Sequence, residues 1–330
     1  MSLKTEISAI PQEGAPLPLT APAAQAMSAM SLAGIILVCA IWGAGFSFMK
    51  IGLRYLPPFL FVGIRFILTA VCVAFYMRLM RISWRVPRAM VWPMAALVGL
   101  FFMQQAAIFF GLTYTRAGRM GVILNIQPII TAMLAHWFVA HDRLTPGKII
   151  GLLMAVFGVF LVFRESFIHF DRTLLVGDML ALLAAFGWGV QNIVTKHTVK
   201  QVAPAAITGW QALVSSGLFF LTSFLVESGP VPRQPLDAMF FWSTGYIILV
   251  ATVFGFVVWV YLFEHNSPSR VTSFCFITPI ASVFFGWLIL GEAISRDIIV
   301  AMALVGLGIF LANFQYQPRG QERDFVQEIQ

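Results

Sequence analysis

The stretch Ser273–Glu292 reads SFCFITPIASVFFGWLILGE, uncharged until its last residue and with Pro279 near its middle. At about 1.5 Å per residue, a helix of this length crosses the roughly 30 Å hydrocarbon layer of a bilayer. A proline inside such a helix removes a backbone donor and clashes with the preceding turn, at a cost of roughly 3 kcal/mol. The chain does this twice. GVILNIQPIITAMLAHWFVAHD, Gly121–Asp142, carries Pro128 in the matching place, 151 residues earlier. A costly feature repeated at a fixed offset points to a duplicated unit.

Ten apolar runs of spanning length lie along the chain: Leu32–Gly52, Phe59–Met80, Val91–Tyr114, Gly118–Ala140, Pro146–Phe163, Leu175–Lys196, Pro204–Val226, Phe240–Phe263, Pro268–Leu290 and Ile298–Phe314. Charges and turn formers collect between them, as in YLPP, RISWRVPR, HDRLTPGK and ESGPVPRQP. Only 11% of residues are charged and 59% are hydrophobic, whereas a soluble domain has about 25% charged residues, so the chain belongs in lipid. The formal charge of +7 is scattered between apolar runs and clusters on no element. It reads as membrane topology, and no nucleic-acid partner is expected. Residues 1–30, rich in Pro, Ala and Ser, read as a disordered cytoplasmic tail, and residues 317–330 as a polar C-terminal tail. Cys39, Cys72 and Cys275 lie in apolar runs, and no disulfide is expected.

Similarity organises the ten runs into two fives, residues 31–163 and 175–316. IWGAGFSFMK, with Trp42, Gly43 and Lys50, matches GWGVQNIVTK, with Trp188, Gly189 and Lys196, at an offset of 146, and Pro58 matches Pro204. Arg119 and Pro128 match Arg270 and Pro279 at 151, and Asp142 and Gly158 match Glu292 and Gly308 at 150. Five is odd, so the second copy enters the membrane from the opposite side. The expected fold is therefore an all-α integral membrane protein of ten transmembrane helices in two inverted five-helix repeats, an arrangement recurrent in secondary transporters. With both termini inside, twelve Lys and Arg residues fall on the cytoplasmic side and eight on the other, which favours that orientation. Pro128 and Pro279 free the carbonyls of Leu124 and Cys275. Kinked helices persist in lipid where they face protein or a wet cavity, so the two sites read either as gating elements near the midplane or as bends that improve packing.

On these features the chain resembles the EamA-type members of the drug/metabolite transporter superfamily, from Leu32 to Phe314. The resemblance rests on the ten runs, on WG near the start of each half, and on TPIASVFFGWLILGEAISRD followed by GLGIF. Arg65 and Asp178 (in VGDMLALLAAFGWG) also resemble family positions, whereas His141 and Asp142 stand where Gly-Glu is common in the family. The resemblance implies a transporter of small metabolites in the inner membrane, often an exporter of amino acids or related solutes.

Enzymatic chemistry finds no support. The segment around Lys148 lacks the first glycine of a phosphate loop, GAGFSF and GLGIFL fail the dinucleotide pattern, and no histidine spacing suits a metal. No cofactor is expected. Every carboxylate lies in a tail, in a loop or within about a turn of a span end; this lack of an acid inside the bundle weakens carboxylate-based proton coupling without excluding it, and a facilitated exporter running down a substrate gradient fits as well. Arg65, some seven residues into the second span, reads as a side chain that snorkels or pairs with Glu292, or else as a gate or a contact for a substrate anion. Gly147, Gly151 and Ala155 in the fifth span, and Gly308 and Ala312 in the tenth, form small-residue ridges for a scaffold or a dimer contact.

The polar residues inside the spans are the candidate substrate site. Trp188, Gln191, Asn192 and Thr195 share one helical face. With Trp42, Gln104, Gln105 and Asn125 they would line a cavity of amides and aromatics suited to a neutral or zwitterionic solute; the same groups would also serve as interhelical glue. The reading that follows is a secondary transporter working by alternating access, with a passive channel or a non-transporting scaffold or sensor as alternatives. Its partners would be a small-molecule substrate and the bilayer, as a monomer or homodimer.

Overall fold

Ser28 starts the first helix by accepting a hydrogen bond from the Ser31 backbone N–H at 3.1 Å. Helix α1 (Ala29–Tyr55) then runs until Pro57 and Pro58, since the residue before a proline is pushed out of the helical region. Pro58 opens α2 (Pro58–Leu79), where its missing N–H costs nothing. In the computed structural model, residues 28–138, 146–168, 171–255, 258, 262 and 274–313 are described. After α2 come α3 (Val91–Gly111), α4 (Ala117–Leu124), α5 (Gln127–Phe138), α6 (Pro146–Ile168), α7 (Arg172–Thr198), α8 (Pro204–Val226) and α9 (Ala238–Gly245). A π-helix, Tyr246–Phe254, continues α9; a 3₁₀ turn, Phe274–Phe276, leads into α10 (Ile277–Leu290), and α11 (Arg296–Asn313) closes the set. No strand occurs among the described residues.

Six helical stretches are long and apolar enough to cross a membrane: Ala29–Tyr55, Pro58–Leu79, Arg88–Gly111, Ala117–Phe138, Arg172–Thr198 and Pro204–Val226. Ile149–Arg164, Ala238–Phe254 and Ile277–Leu290 are apolar but shorter. The protein is thus an all-helical, multi-pass membrane protein, though length and composition alone do not reach ten spans among the described residues. His141, Asp142, Glu264 and Arg270 lie outside those residues.

The proline sites are where helices break. Between α4 and α5 the chain turns at Asn125 and Ile126, two residues before Pro128. There Asn125 Nδ2 donates to the Gly121 carbonyl at 2.6 Å, so the side chain itself bridges the interruption. At the other site the 3₁₀ turn precedes Pro279, and the Cys39 thiol donates to the Phe274 carbonyl at 3.7 Å. The three cysteines are free thiols.

Packing repeats with the sequence. A Cβ on Gly43 would stand 2.5 Å from Ala281 Cβ and 2.8 Å from Ser282 N. One on Gly189 would stand 2.6 Å from Ile130 Cγ2 and 3.4 Å from Thr131 N. Each WG glycine therefore lets its helix press on the half-helix beyond the other repeat's proline, at corresponding residues. The same exchange joins α6 and α11: a Cβ on Gly158 would stand 2.9 Å from the Ala301 carbonyl oxygen, and one on Gly308 would stand 2.6 Å from the Gly151 carbonyl oxygen. The small-residue ridges of these helices pack on each other within one chain. Gly308→Val should thus lose roughly 1–3 kcal/mol or fail to fold, because the obstacle is backbone and cannot swing aside. Gly217→Val, where a Cβ meets nothing within 4 Å, should leave the melting temperature of the purified protein unchanged. Equal stability of the two variants would show that α6 and α11 are not held this closely.

Candidate solute cavity

One end of the bundle is tied shut by polar groups. Glu292, just beyond α10, accepts from the backbone N–H groups of Ala117 and Gly118 at 2.8 and 3.1 Å, the first turn of α4. Lys50 Nζ donates to the same carboxylate at 3.0 Å and to the Thr115 carbonyl at 2.7 Å. A carboxylate suits this place because the first N–H groups of a helix lack internal partners and carry a partial positive charge. Glu227, past α8, likewise accepts from the Phe59 and Leu60 N–H groups at the start of α2, at 2.7 and 3.0 Å. Asp237 accepts from the Tyr55 hydroxyl at 2.6 Å and caps α9 through the Phe240 N–H at 3.1 Å. The Tyr55 hydroxyl, with the Phe240 amide behind it, holds the Asp237 carboxyl below its ordinary range. Whatever stability this cap contributes is present at neutral pH and lost as pH falls through the lowered pKa.

Deeper at this end, Arg119 and Asp178 form a fully buried ion pair, with side-chain exposures of 1% and 0%. Thr115 Oγ1 donates to Asp178 at 2.8 Å, and Arg119 also donates to the Val162 carbonyl at 2.8 Å. This corrects the expectation of no acid inside the bundle. Helix α7 begins at Arg172, three residues earlier than the apolar pattern suggests, so Asp178 lies nearly two turns in. A third pair, Arg164 with Asp297 at 2.9 Å, sits more openly between α6 and α11.

The other end is open. A cavity of about 460 Å³ extends from the middle of the bundle, at Trp42, Arg65 and Trp188, toward Cys72, Val73 and Tyr76 near the end of α2 and Ala205 and Thr208 near the start of α8. Its walls also include Phe66, Thr69, Phe101, Gln105, Ala212 and the π segment at Ala251, Thr252 and Val253. This is the size of a small-molecule site. The π register is visible in Thr252 Oγ1, which donates to the Ile247 carbonyl five residues back at 2.8 Å. Trp42 is fixed against it, since Nε1 donates to the Ala251 carbonyl at 3.0 Å. Such π segments occur often at functional sites.

Of the eight candidate substrate residues, Trp42, Gln105 and Trp188 line the cavity. Four of the others make helix-to-helix or local bonds. Gln104 Nε2 donates to Gln191 Oε1 at 2.6 Å, joining α3 to α7, and Asn192 Nδ2 donates to Thr131 Oγ1 at 3.1 Å, joining α7 to α5. Asn125 serves the break described above, and Thr195 is half-buried outside the cavity wall. Arg65 and Glu292 are not paired with each other: Glu292 belongs to the closed end and Arg65 to the cavity. Pro128 and Pro279 stand at the helix breaks, away from the cavity wall. Thr69 was recoverable from sequence, four residues after Arg65 and hence on its face. The π segment YIILVATVF carries no such signal.

Two segments of the chain, residues 29–164 and 175–314, match the sequence model of the EamA-like transporter family. An uncharacterized transporter, YoaV, of Bacillus subtilis is 28% identical over 87% of this chain and 97% of its own length. Proteins named as a probable amino-acid metabolite efflux pump are 28% identical in Salmonella typhimurium, over 87% of this chain and 96% of theirs, and 27% identical in Escherichia coli, over 84% and 93%. A solved crystal structure aligns at a TM-score of 0.62 and 17% identity, covering 86% of this chain and 98% of its own, and supports the fold alone.

Proposed function

The chain belongs to the EamA-like transporter family, and from that premise we propose that it is a secondary exporter of amino acids or similar neutral or zwitterionic solutes, working by alternating access. The observation that carries this reading is a cavity open at one end of the bundle and tied shut at the other. The paired helix breaks at Pro128 and Pro279 add support, because each supplies a half-helix that tilts without unravelling its neighbour. We place the protein in the inner membrane with both termini cytoplasmic, as ten spans in two inverted repeats, residues 31–163 and 175–316. The cavity then opens to the cytoplasm, the side from which an exporter loads.

Efflux and counterflow in proteoliposomes, against a panel of amino acids, test the proposal. A carrier exchanges labelled for unlabelled solute, whereas a channel shows no counterflow and a scaffold moves nothing. Within the site, Trp188→Ala should raise the apparent KM about five- to tenfold with little change in melting temperature, because its ring faces the cavity. Gln191→Ala and Asn192→Ala should do the reverse. They remove interhelical bonds averaging about 0.6 kcal/mol in membrane proteins, and so soften the fold without touching affinity. An affinity loss confined to Gln191 and Asn192 would move the site out of this cavity.

A further inference from the structure

Arg65 is a cation set into the cavity wall without an anion. Among the described residues that line the cavity it is the only charged one. Its Nε is buried with no hydrogen-bond partner among the described residues, and the bond its guanidinium makes there is a long one to Met49 Sδ, at 3.9 Å. Two ring faces, Phe66 and Phe109, lie 5.1 and 5.7 Å from the guanidinium carbon. Ring faces soften the cost of burying a cation but leave its N–H groups unmatched. The acids of the closed end are occupied: Glu292 by Lys50 and the α4 amides, Asp178 by Arg119 and Thr115, Glu227 by the α2 amides and Asp237 by Tyr55. Buried charges are normally paired, so this fork is set for an anion that arrives from outside.

We propose that Arg65 recognises the carboxylate of the transported solute, and that the solute carries this carboxylate on an apolar or aromatic body. The planar guanidinium offers parallel N–H groups that match a carboxylate's two oxygens. Around it, Trp42, Phe66, Phe101 and Trp188 supply an apolar wall. Among the described residues no acid lines that wall to meet an ammonium, so the amino group of an amino acid is tolerated rather than required. The inference rests on the cavity being the transport site, and it moves the substrate class from neutral or zwitterionic solutes in general to carboxylates on an apolar body, apolar amino acids among them.

The test uses purified full-length protein and four probes of one shape: 3-phenylpropanoate, phenylalanine, phenylalaninamide and phenethylamine. Thermal stabilisation in detergent reads binding, and proteoliposome exchange reads transport. Both carboxylates should bind and exchange, and the amide and amine should not. Arg65→Met should weaken the carboxylates about tenfold or more while leaving the melting temperature unchanged or higher, and Arg65→Lys should fall between. Binding of phenylalanine with none of 3-phenylpropanoate would overturn the inference, as would unchanged carboxylate affinity in Arg65→Met. The two readings fail separately. Arg65-dependent binding of carboxylates without exchange leaves the inference standing and sinks the transporter reading. Exchange of the amide or amine that Trp188→Ala impairs and Arg65→Met does not leaves the transporter and sinks the inference.

Discussion

Arg119→Met and Asp178→Leu, made singly, should each destabilise the protein by about 3–5 kcal/mol, the cost of stranding one member of a buried ion pair. No water reaches either side chain to replace the lost partner, since both are essentially unexposed. Thr115 and the Val162 carbonyl, which also bond to the pair, are neutral and cannot neutralise the survivor. The double substitution should recover most of the loss, because an apolar pair of similar volume removes both desolvation penalties together. Denaturation of the purified variants in detergent checks this. A single variant as stable as the parent, or a double variant no better than the worse single, would show that the pair does not hold this end together. Asp178→Asn separates structure from transport. If it kept its melting temperature yet abolished a pH-dependent flux, the acid would be a proton carrier rather than a strut.

What was legible before the structure follows from which forces act locally. The helical stretches from α1 through α8 were readable because bilayer thickness imposes a length, and Pro146 and Pro204 mark helix starts to the residue. The repeat was readable because matched glycines and prolines answer to backbone sterics. Gly43 and Gly189 stand where one helix presses on another at corresponding residues. Side-chain partners were not readable, since they depend on which helices meet at a given height. The face of α7 that carries Trp188, Gln191, Asn192 and Thr195 looked like one polar surface. Its members diverge because α3 and α5 flank the helix and take up Gln191 and Asn192, while Trp188 alone turns to the cavity. Lys50 and Glu292 are 242 residues apart, and nothing in their neighbourhoods announces the pairing.

Glu292→Gln should loosen the closed end without unfolding the bundle. The carboxylate holds two α4 amides with one oxygen each, and one of those oxygens also takes Lys50. An amide keeps one acceptor, turns a donor toward the Gly118 or Ala117 N–H, and drops the charge on every remaining bond. Losing about 2 kcal/mol of charge-assisted bonding, roughly the worth of one such bond at about 1.5–3 kcal/mol each, shifts the ratio of closed to open states about 30-fold. Ala117→Cys, in a background with Cys39 and Cys275 replaced by alanine, reports this directly. Ala117 is fully buried beneath the clasp, so an impermeant maleimide applied from that side reaches the thiol only in the open fraction. Its labelling rate should rise roughly 30-fold in Glu292→Gln and similarly in Lys50→Met. Native Cys72, on the cavity wall at the opposite end, should label no faster, whereas general unfolding would speed both thiols. Arg164→Met provides the control: the pair it breaks is half exposed and contributes about 0–1 kcal/mol, so Ala117→Cys should stay protected. Equal deprotection by Arg164→Met, or less than about a threefold change in Glu292→Gln, would mean that the clasp merely caps α4 and that something else holds this end of the cavity shut.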